Sequence, residues 1–165
     1  MAGLQVIDDA SREAQQWADE VAPAGRGGLK PGWRALAAVL PALRERLAPS
    51  EAAALSAALP LMVRGLFWSG FSPEAPRLRG DFDDFVARTG ERFADVQASD
   101  PRGLIEGVLV TLWRHTPEPV IYRVIDSLPA RFGEAWFDAV ARDSGVDQYG
   151  ELDDDEPVDL RSLII

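Results

Sequence analysis

Residues 38–60 read AVLPALRERLAPSEAAALSAALP, and residues 107–129 read GVLVTLWRHTPEPVIYRVIDSLP. The two stretches align without a gap, since each has Val-Leu at its second and third positions and closes on Leu-Pro. The apolar positions in between keep the same register, with Ala52 matching Ile121 and Leu55 matching Val124. A pattern that returns in this way predicts a repeated helical unit.

The rest of the chain extends this repeat to an all-α fold. The period of an α-helix recurs along the sequence, and no segment of useful length alternates apolar with polar residues. We therefore predict about eight helices, arranged as two pseudo-repeated four-helix units that share one core. The predicted divisions are an N-terminal tail at 1–9, a single helical domain at 10–145 with repeats at about 10–71 and 81–145, and an acidic C-terminal tail at 146–165.

Capping residues and prolines mark where the helices start. Asp8, Asp9 or Ser11 can cap the first helix, Asp81 can cap the fifth, and Asp100-Pro101 marks the start of the sixth. Each Leu-Pro pair is a corner, because proline pushes the residue before it into extended backbone and suits the first turn of the helix that follows.

Two helices of the first half carry more specific predictions. Pro41 lies inside the second helix, where a proline removes one backbone hydrogen bond at a cost of roughly 3 kcal/mol, so we predict a kink or a break. The fourth helix is predicted to include Phe71, which continues the apolar stripe of Val63 and Phe67.

Composition excludes several classes of function. A net charge of −10 repels a nucleic-acid backbone, and the pair Arg77 and Arg79 is interpreted as solvated charge near a loop rather than as a basic stripe. The chain has no cysteine, which fits the reducing cytoplasm, and no apolar run approaches the roughly 18 residues of a membrane span. We therefore expect a cytoplasmic protein that binds neither nucleic acid nor membrane. Lys30 is the one lysine and arginine is used in place of lysine elsewhere, as in proteins encoded by GC-rich bacterial genomes, so we also expect a bacterial source.

The sequence contains no recognisable catalytic or metal-binding pattern. His115 is the one histidine, and at the end of the sixth helix it is predicted to bond the last carbonyls. A single histidine without cysteine excludes the common zinc sites and leaves little room for a catalytic triad. We therefore predict no catalytic residue, no metal and no cofactor, and expect a protein that is not an enzyme.

Two kinds of apolar segment are candidates for binding a partner. Aromatic clusters close each half, although core packing is the simpler interpretation of them, and an apolar end follows seven acidic residues between Asp147 and Asp159. Aromatic side chains are frequent anchors of interfaces. The candidate partner-binding residues are Phe67, Trp68, Phe71, Trp136, Phe137, Leu160, Leu163, Ile164 and Ile165.

A long continuous pattern connects the chain to a known bacterial family. The run at 39–47, the run at 59–71 and the acidic-aromatic start Asp81-Phe82-Asp83-Asp84-Phe85 resemble the domain-of-unknown-function 2267 family over roughly residues 10–140. The resemblance implies a small all-helical protein made of two similar halves. It implies no established activity, cofactor or catalytic residue.

These observations leave two main hypotheses for function. The first is a non-enzymatic protein-interaction or assembly module that uses the aromatic corners and the C-terminal tail, through a protein partner or self-association. The alternative is a small-ligand-binding protein or enzyme with a pocket between the two halves. A cavity lined by converging polar groups would favour the alternative, whereas a dry core beside an exposed apolar patch would favour the first.

Overall fold

The computed structural model describes residues 2–22, 28–93 and 100–145, and within them the chain is all α with no strand. The predicted all-α class with eight helices is confirmed. A short 3₁₀ turn at Glu91–Phe93 follows the fifth helix. The helices are α1 (Ala2–Val21), α2 (Leu29–Arg44), α3 (Pro49–Ala57), α4 (Leu61–Phe67), α5 (Phe82–Gly90), α6 (Pro101–His115), α7 (Glu118–Asp126) and α8 (Ala130–Asp143). None of these helices is long and apolar enough to cross a membrane.

One hydrophobic cluster receives buried side chains from all eight helices. Its centre is the pair α2 and α6, which contact each other and contain the first parts of the two matching stretches. Leu40 and Leu109 hold equivalent positions there, and both are fully buried. Burial of side chains of this size contributes about 1.5–3 kcal/mol each, which explains why the matching stretches are apolar at these positions.

Several contacts between helices have a counterpart in the other half. In the first half α2 packs on α4, and in the second half α6 packs on α8. Across the halves α1 packs on α6 and α5 packs on α2, while α3 packs on its counterpart α7. The arrangement as two pseudo-repeated four-helix units stays a prediction, because similar packing also arises between unrelated helix pairs.

The predicted caps of α5 and α6 are confirmed. The Asp81 carboxylate accepts a hydrogen bond from the backbone N–H of Asp84 at 3.0 Å. The Asp100 carboxylate accepts one from the N–H of Gly103 at 2.9 Å. Pro60 and Pro129 have extended backbone, and each lies directly before the first residue of a helix. Both Leu-Pro pairs therefore form corners, as expected.

Helix α1 begins at Ala2, before the residues that could cap it. It therefore includes residues 2–9, for which the sequence predicts a tail. The three candidate capping residues, Asp8, Asp9 and Ser11, lie inside α1 and do not cap its start. Asp9 accepts a hydrogen bond from Arg12 at 2.7 Å, a spacing at which side chains on one helix face meet. The side chains from Gly3 to Asp9 are exposed, so this part of α1 adds little to the core.

The break predicted at Pro41 is absent while a kink there stays a prediction, and the predicted extension of α4 to Phe71 is wrong. Helix α2 continues through Pro41 without a break and ends at Arg44, so the proline lies in the last turn and its carbonyl still accepts from Glu45 at 3.0 Å. Helix α4 ends at Phe67 and does not reach Phe71. Gly70 follows with a positive φ of 67°, the left-handed conformation that commonly terminates helices.

Replacement of Gly32 by alanine tests the closest contact between α1 and α2. A Cβ at Gly32 would lie 1.9 Å from the backbone carbonyl oxygen of Ala18, so the two helices would have to separate. We expect Gly32→Ala to lower the free energy of unfolding by about 1–3 kcal/mol in urea denaturation. Gly65→Ala is the matched control, because Gly65 lies within α4 with nothing near its Cβ, and alanine there should stabilise by about 0.5–1 kcal/mol. Equal effects of both substitutions would contradict the packing argument.

Candidate anion site between the two halves

Two of the aromatic residues predicted to bind a partner are core residues. Phe67 and Trp136 are fully buried. The Trp136 indole N–H donates a hydrogen bond to the Leu109 carbonyl at 3.0 Å, which satisfies its polar atom inside the core. Neither side chain can contact a partner in the folded domain, because packing occupies both.

The other predicted aromatic residues are more accessible. Trp68 and Phe137 are half-buried, and Phe71 is 55% exposed. Trp68 packs edge-to-face on Phe71 at 5.2 Å, whereas Phe137 packs on Trp113 at 5.7 Å. The predicted residues Leu160, Leu163, Ile164 and Ile165, together with the acidic tail, lie outside the described residues.

His115 does not bond the last carbonyls of α6, so that prediction is wrong. Its Nε2 lies 2.7 Å from a carboxylate oxygen of Glu20 on α1. Its ring stacks on Trp17 with centroids 4.9 Å apart. The side chain therefore joins α6 to α1, because α1 runs beside α6 and brings a carboxylate within reach. Among the described residues, no group of three or more histidines, aspartates and glutamates could hold a metal ion.

A small cavity of about 200 Å³ lies between the two halves, and we refer to it as the arginine cavity. It is bounded by the turn after α2, the connector between the halves at residues 72–80 and the corner between α7 and α8. None of the described residues that line it is acidic. Its lining residues are Arg46, Arg77, Leu78, Arg79, Gly80, Ser127 and Pro129.

Backbone and side-chain hydrogen bonds position the connector at this cavity. The N–H of Leu78 donates to the Glu45 carbonyl at 2.8 Å. The Arg77 guanidinium donates from Nε to the Arg46 carbonyl at 2.8 Å and from Nη2 to the Ser127 carbonyl at 3.0 Å. Arg77 therefore bridges the first half to the second, and the connector does not run free in solvent.

Arg46 is buried at the wall of the arginine cavity, with 3% of its surface exposed. Its Nη1 donates to the Ala42 carbonyl at 3.2 Å, and its Nη2 donates to a carboxylate oxygen of Asp84 at 3.1 Å. The guanidinium lies over the Phe85 ring at 4.9 Å. Its Nε is buried and has no hydrogen-bond partner among the described residues. Leaving a buried donor unpaired costs about 1–3 kcal/mol, so a ligand atom that pairs with it has an energetic advantage.

The charges around Arg46 leave an excess of positive charge. Burial lowers the pKa of Arg46, and the hydrogen bond that Arg46 donates to Asp84 opposes this shift. The pKa of Asp84 is held below its usual range, first by its hydrogen bond from Arg88 and then by Arg46. The single carboxylate of Asp84 therefore pairs with two guanidinium groups, those of Arg46 and Arg88. Arg79 is exposed and has no partner among the described residues, which adds a further unpaired positive charge.

The arrangement is suited to binding rather than to chemistry. Guanidinium groups present several N–H donors in a planar fork that matches phosphate and carboxylate oxygens. The hydroxyl of Ser127, which could act as a nucleophile, already donates to the Val124 carbonyl at 2.7 Å. None of the described lining residues is a base that could activate it.

Sequence reasoning missed the contribution of Arg46 and interpreted Arg77 and Arg79 as solvated loop charges. Two Arg-x-Arg pairs were visible, at 44–46 and 77–79, but they lie far apart in the chain. Only the packing of the connector on the turn after α2 brings them together. The sequence signal that pointed to the site is a charged residue, Arg46, directly before Leu47, an apolar residue of the first matching stretch that is buried in the structure.

Comparison with known proteins identifies the family of the chain. The family model described as "Uncharacterized conserved protein (DUF2267)" matches residues 14–135. This match spans well over half of the chain, so the chain belongs to the DUF2267 family and the resemblance seen in the sequence is confirmed. No curated protein matches the chain. The family description assigns no activity, so the function has to be inferred from geometry.

Asp84→Asn tests the charge balance beside the arginine cavity. Because the pKa of Asp84 is depressed in the folded state, its ionised form stabilises the fold above the ordinary Asp pKa of about 3.9, and this stabilisation is lost as the pH falls through the folded pKa. The unfolded state binds more protons in that window, so the free energy of unfolding rises with pH. We expect Asp84→Asn to flatten this dependence between about pH 5 and pH 2 in urea denaturation. An unchanged slope would contradict the role given to Asp84.

Proposed function

We propose that this member of the DUF2267 family is a non-enzymatic cytoplasmic protein that binds a small ligand through an anionic group in the arginine cavity. The anionic group is a phosphate or a carboxylate, since both present oxygens that accept from a guanidinium fork. The observation that carries the proposal is the buried Nε of Arg46, which has no partner among the described residues and belongs to a residue that lines the cavity. The proposal follows the hypothesis of a pocket between the two halves.

The charge of the whole protein makes a local cluster of arginines informative. The chain carries a net charge of −10, so its overall charge repels an anion. Three arginines nevertheless face the same cavity between the halves. A ligand oxygen that accepts from Arg46 would satisfy its buried donor, and hydrogen bonds to charged groups contribute about 1.5–3 kcal/mol.

The size of the arginine cavity limits what can enter it. Its volume of about 200 Å³ is below the roughly 300–1,000 Å³ of pockets that enclose whole ligands. The cavity therefore suits the anionic group of a ligand, with the rest of the molecule outside. Arg79 lines the cavity and is exposed, so its side chain can contact that group.

Inorganic phosphate is the first probe for this proposal. We expect isothermal titration calorimetry to detect phosphate binding to the full chain, and Arg79→Gln to raise the Kd about tenfold, the effect of losing one charge-assisted hydrogen bond. Arg12→Gln is the matched control, because it removes the same charge from an exposed position on α1 that does not line the described cavity. Circular dichroism would confirm that both variants keep the fold.

Two outcomes would contradict the proposal. Phosphate and acetate that both fail to bind the full chain would exclude an anion site. Equal weakening by Arg79→Gln and Arg12→Gln would show that the protein responds to phosphate only through its overall charge, with no contribution from the cavity.

Self-association is a second candidate function, and the exposed apolar residues around α4 favour it. Leu61, Met62 and Phe71 are all exposed, and they lie at the start of α4 and in the turn that follows it. Trp68 packs on Phe71 and extends this apolar surface. Contiguous exposed apolar surface often marks an interface, and aromatic residues supply its main anchors.

Phe71→Ser tests this second candidate. If the surface around α4 forms an interface between two copies, sedimentation equilibrium should give a dimer whose Kd rises about tenfold or more on substitution of this anchor. Leu29→Ser is the control, since it removes another exposed apolar side chain at the start of α2, where serine is well tolerated. A protein that is monomeric at all concentrations would exclude self-association.

A further inference from the structure

We propose that a second cavity, enclosed by α6, α7 and α8, binds a small uncharged aromatic molecule that carries one hydrogen-bonding group. This cavity has a volume of about 380 Å³, which is at the lower end of the range for ligand pockets. It lies at the C-terminal end of α8, beside Asp143 and Ser144, whereas the arginine cavity lies at the other end beside Pro129. We refer to it as the threonine cavity.

About half of the residues that line the threonine cavity are apolar or aromatic. Val110, Ile121 and Val140 line it, and all three are buried. Trp113 and Tyr122 also line it, with their rings edge-to-face at 5.5 Å and an interplanar angle of 87°. A planar apolar ring is complementary to such walls, because aromatic pairs favour edge-to-face and offset contacts.

Thr116 supplies the polar group of the cavity. It lines the cavity with only 6% of its surface exposed, and its hydroxyl oxygen is buried with no hydrogen-bond partner among the described residues. Its backbone N–H is already paired, with the Leu112 carbonyl at 3.0 Å. Most buried polar side-chain atoms have a hydrogen-bond partner, so the unpaired hydroxyl of Thr116 is a position where a ligand could supply that partner.

The fold itself does not require a hydroxyl at this position. When the two matching stretches are aligned, Thr116 corresponds to Leu47, which is buried and apolar. An aliphatic side chain therefore serves the same position in the first half. The threonine adds a hydrogen-bonding atom and no apolar surface beyond what leucine or valine would provide, which is the pattern expected of a ligand contact.

The charged residues of the lining argue against an ionic ligand. Arg114 forms an ion pair with Asp143, so its positive charge is compensated. The remaining charged residue of the described lining is Glu118, which would repel an anion. A neutral ring with one hydroxyl or amide group fits the apolar walls and can pair with the buried hydroxyl of Thr116.

The matched probes p-cresol and toluene test this proposal, because they share a ring and a methyl group and differ by one hydroxyl. We expect the full chain to bind p-cresol more tightly than toluene in NMR titrations. Thr116→Val should weaken p-cresol about fivefold, the effect of one neutral hydrogen bond, and leave toluene unchanged. Valine has nearly the shape of threonine, so the variant should fold.

Thr89→Val is the control variant. Thr89 is also buried with an unpaired hydroxyl, but it does not belong to the described lining of the threonine cavity. Its substitution should leave the affinity for p-cresol unchanged. The proposal is overturned if p-cresol does not bind saturably, if Thr116→Val binds it as the unsubstituted chain does, or if Thr89→Val weakens it equally.

Discussion

The close approach of α1 to two neighbouring helices is the constraint on which the rest of the structure depends. The Cα of Gly32 on α2 faces the carbonyl of Ala18, and the Cα of Gly107 on α6 faces the carbonyl of Val21. Neither contact leaves room for a side chain. Because α2 belongs to the first half and α6 to the second, α1 holds the two halves together by backbone contact.

Polar groups provide a second connection between the two halves. The connector could have remained a solvated loop, but Arg77 donates to a carbonyl of each half and Leu78 pairs with Glu45. The cost of this arrangement is the burial of Arg46, whose charge is only partly compensated by Asp84. A buried cation with one free donor is difficult to explain by stability alone, since a well-packed apolar residue would often be as stable.

The two proposed sites lie where the matching halves differ. Position 46 of the first half corresponds to position 115 of the second, and these are an arginine and a histidine with different partners. Leu47 corresponds in the same way to Thr116. The apolar residues that match between the halves are explained by packing, so they carry no information about a ligand. Arg46 and Thr116, which differ from their counterparts, line the two cavities.

The sequence by itself determined the helical class, the caps Asp81 and Asp100, and the Leu-Pro corners, because each depends on neighbouring residues of one segment. The tertiary structure alone decided that Phe67 and Trp136 are core residues and that Phe71 is exposed, since periodicity does not show how far a helix runs or what covers it. It also decided both cavities. Arg46 comes close to Arg77 only when distant segments pack together, and the same kind of packing leaves the Thr116 hydroxyl without a hydrogen-bond partner among the described residues. Local sequence patterns contain no signal for such contacts.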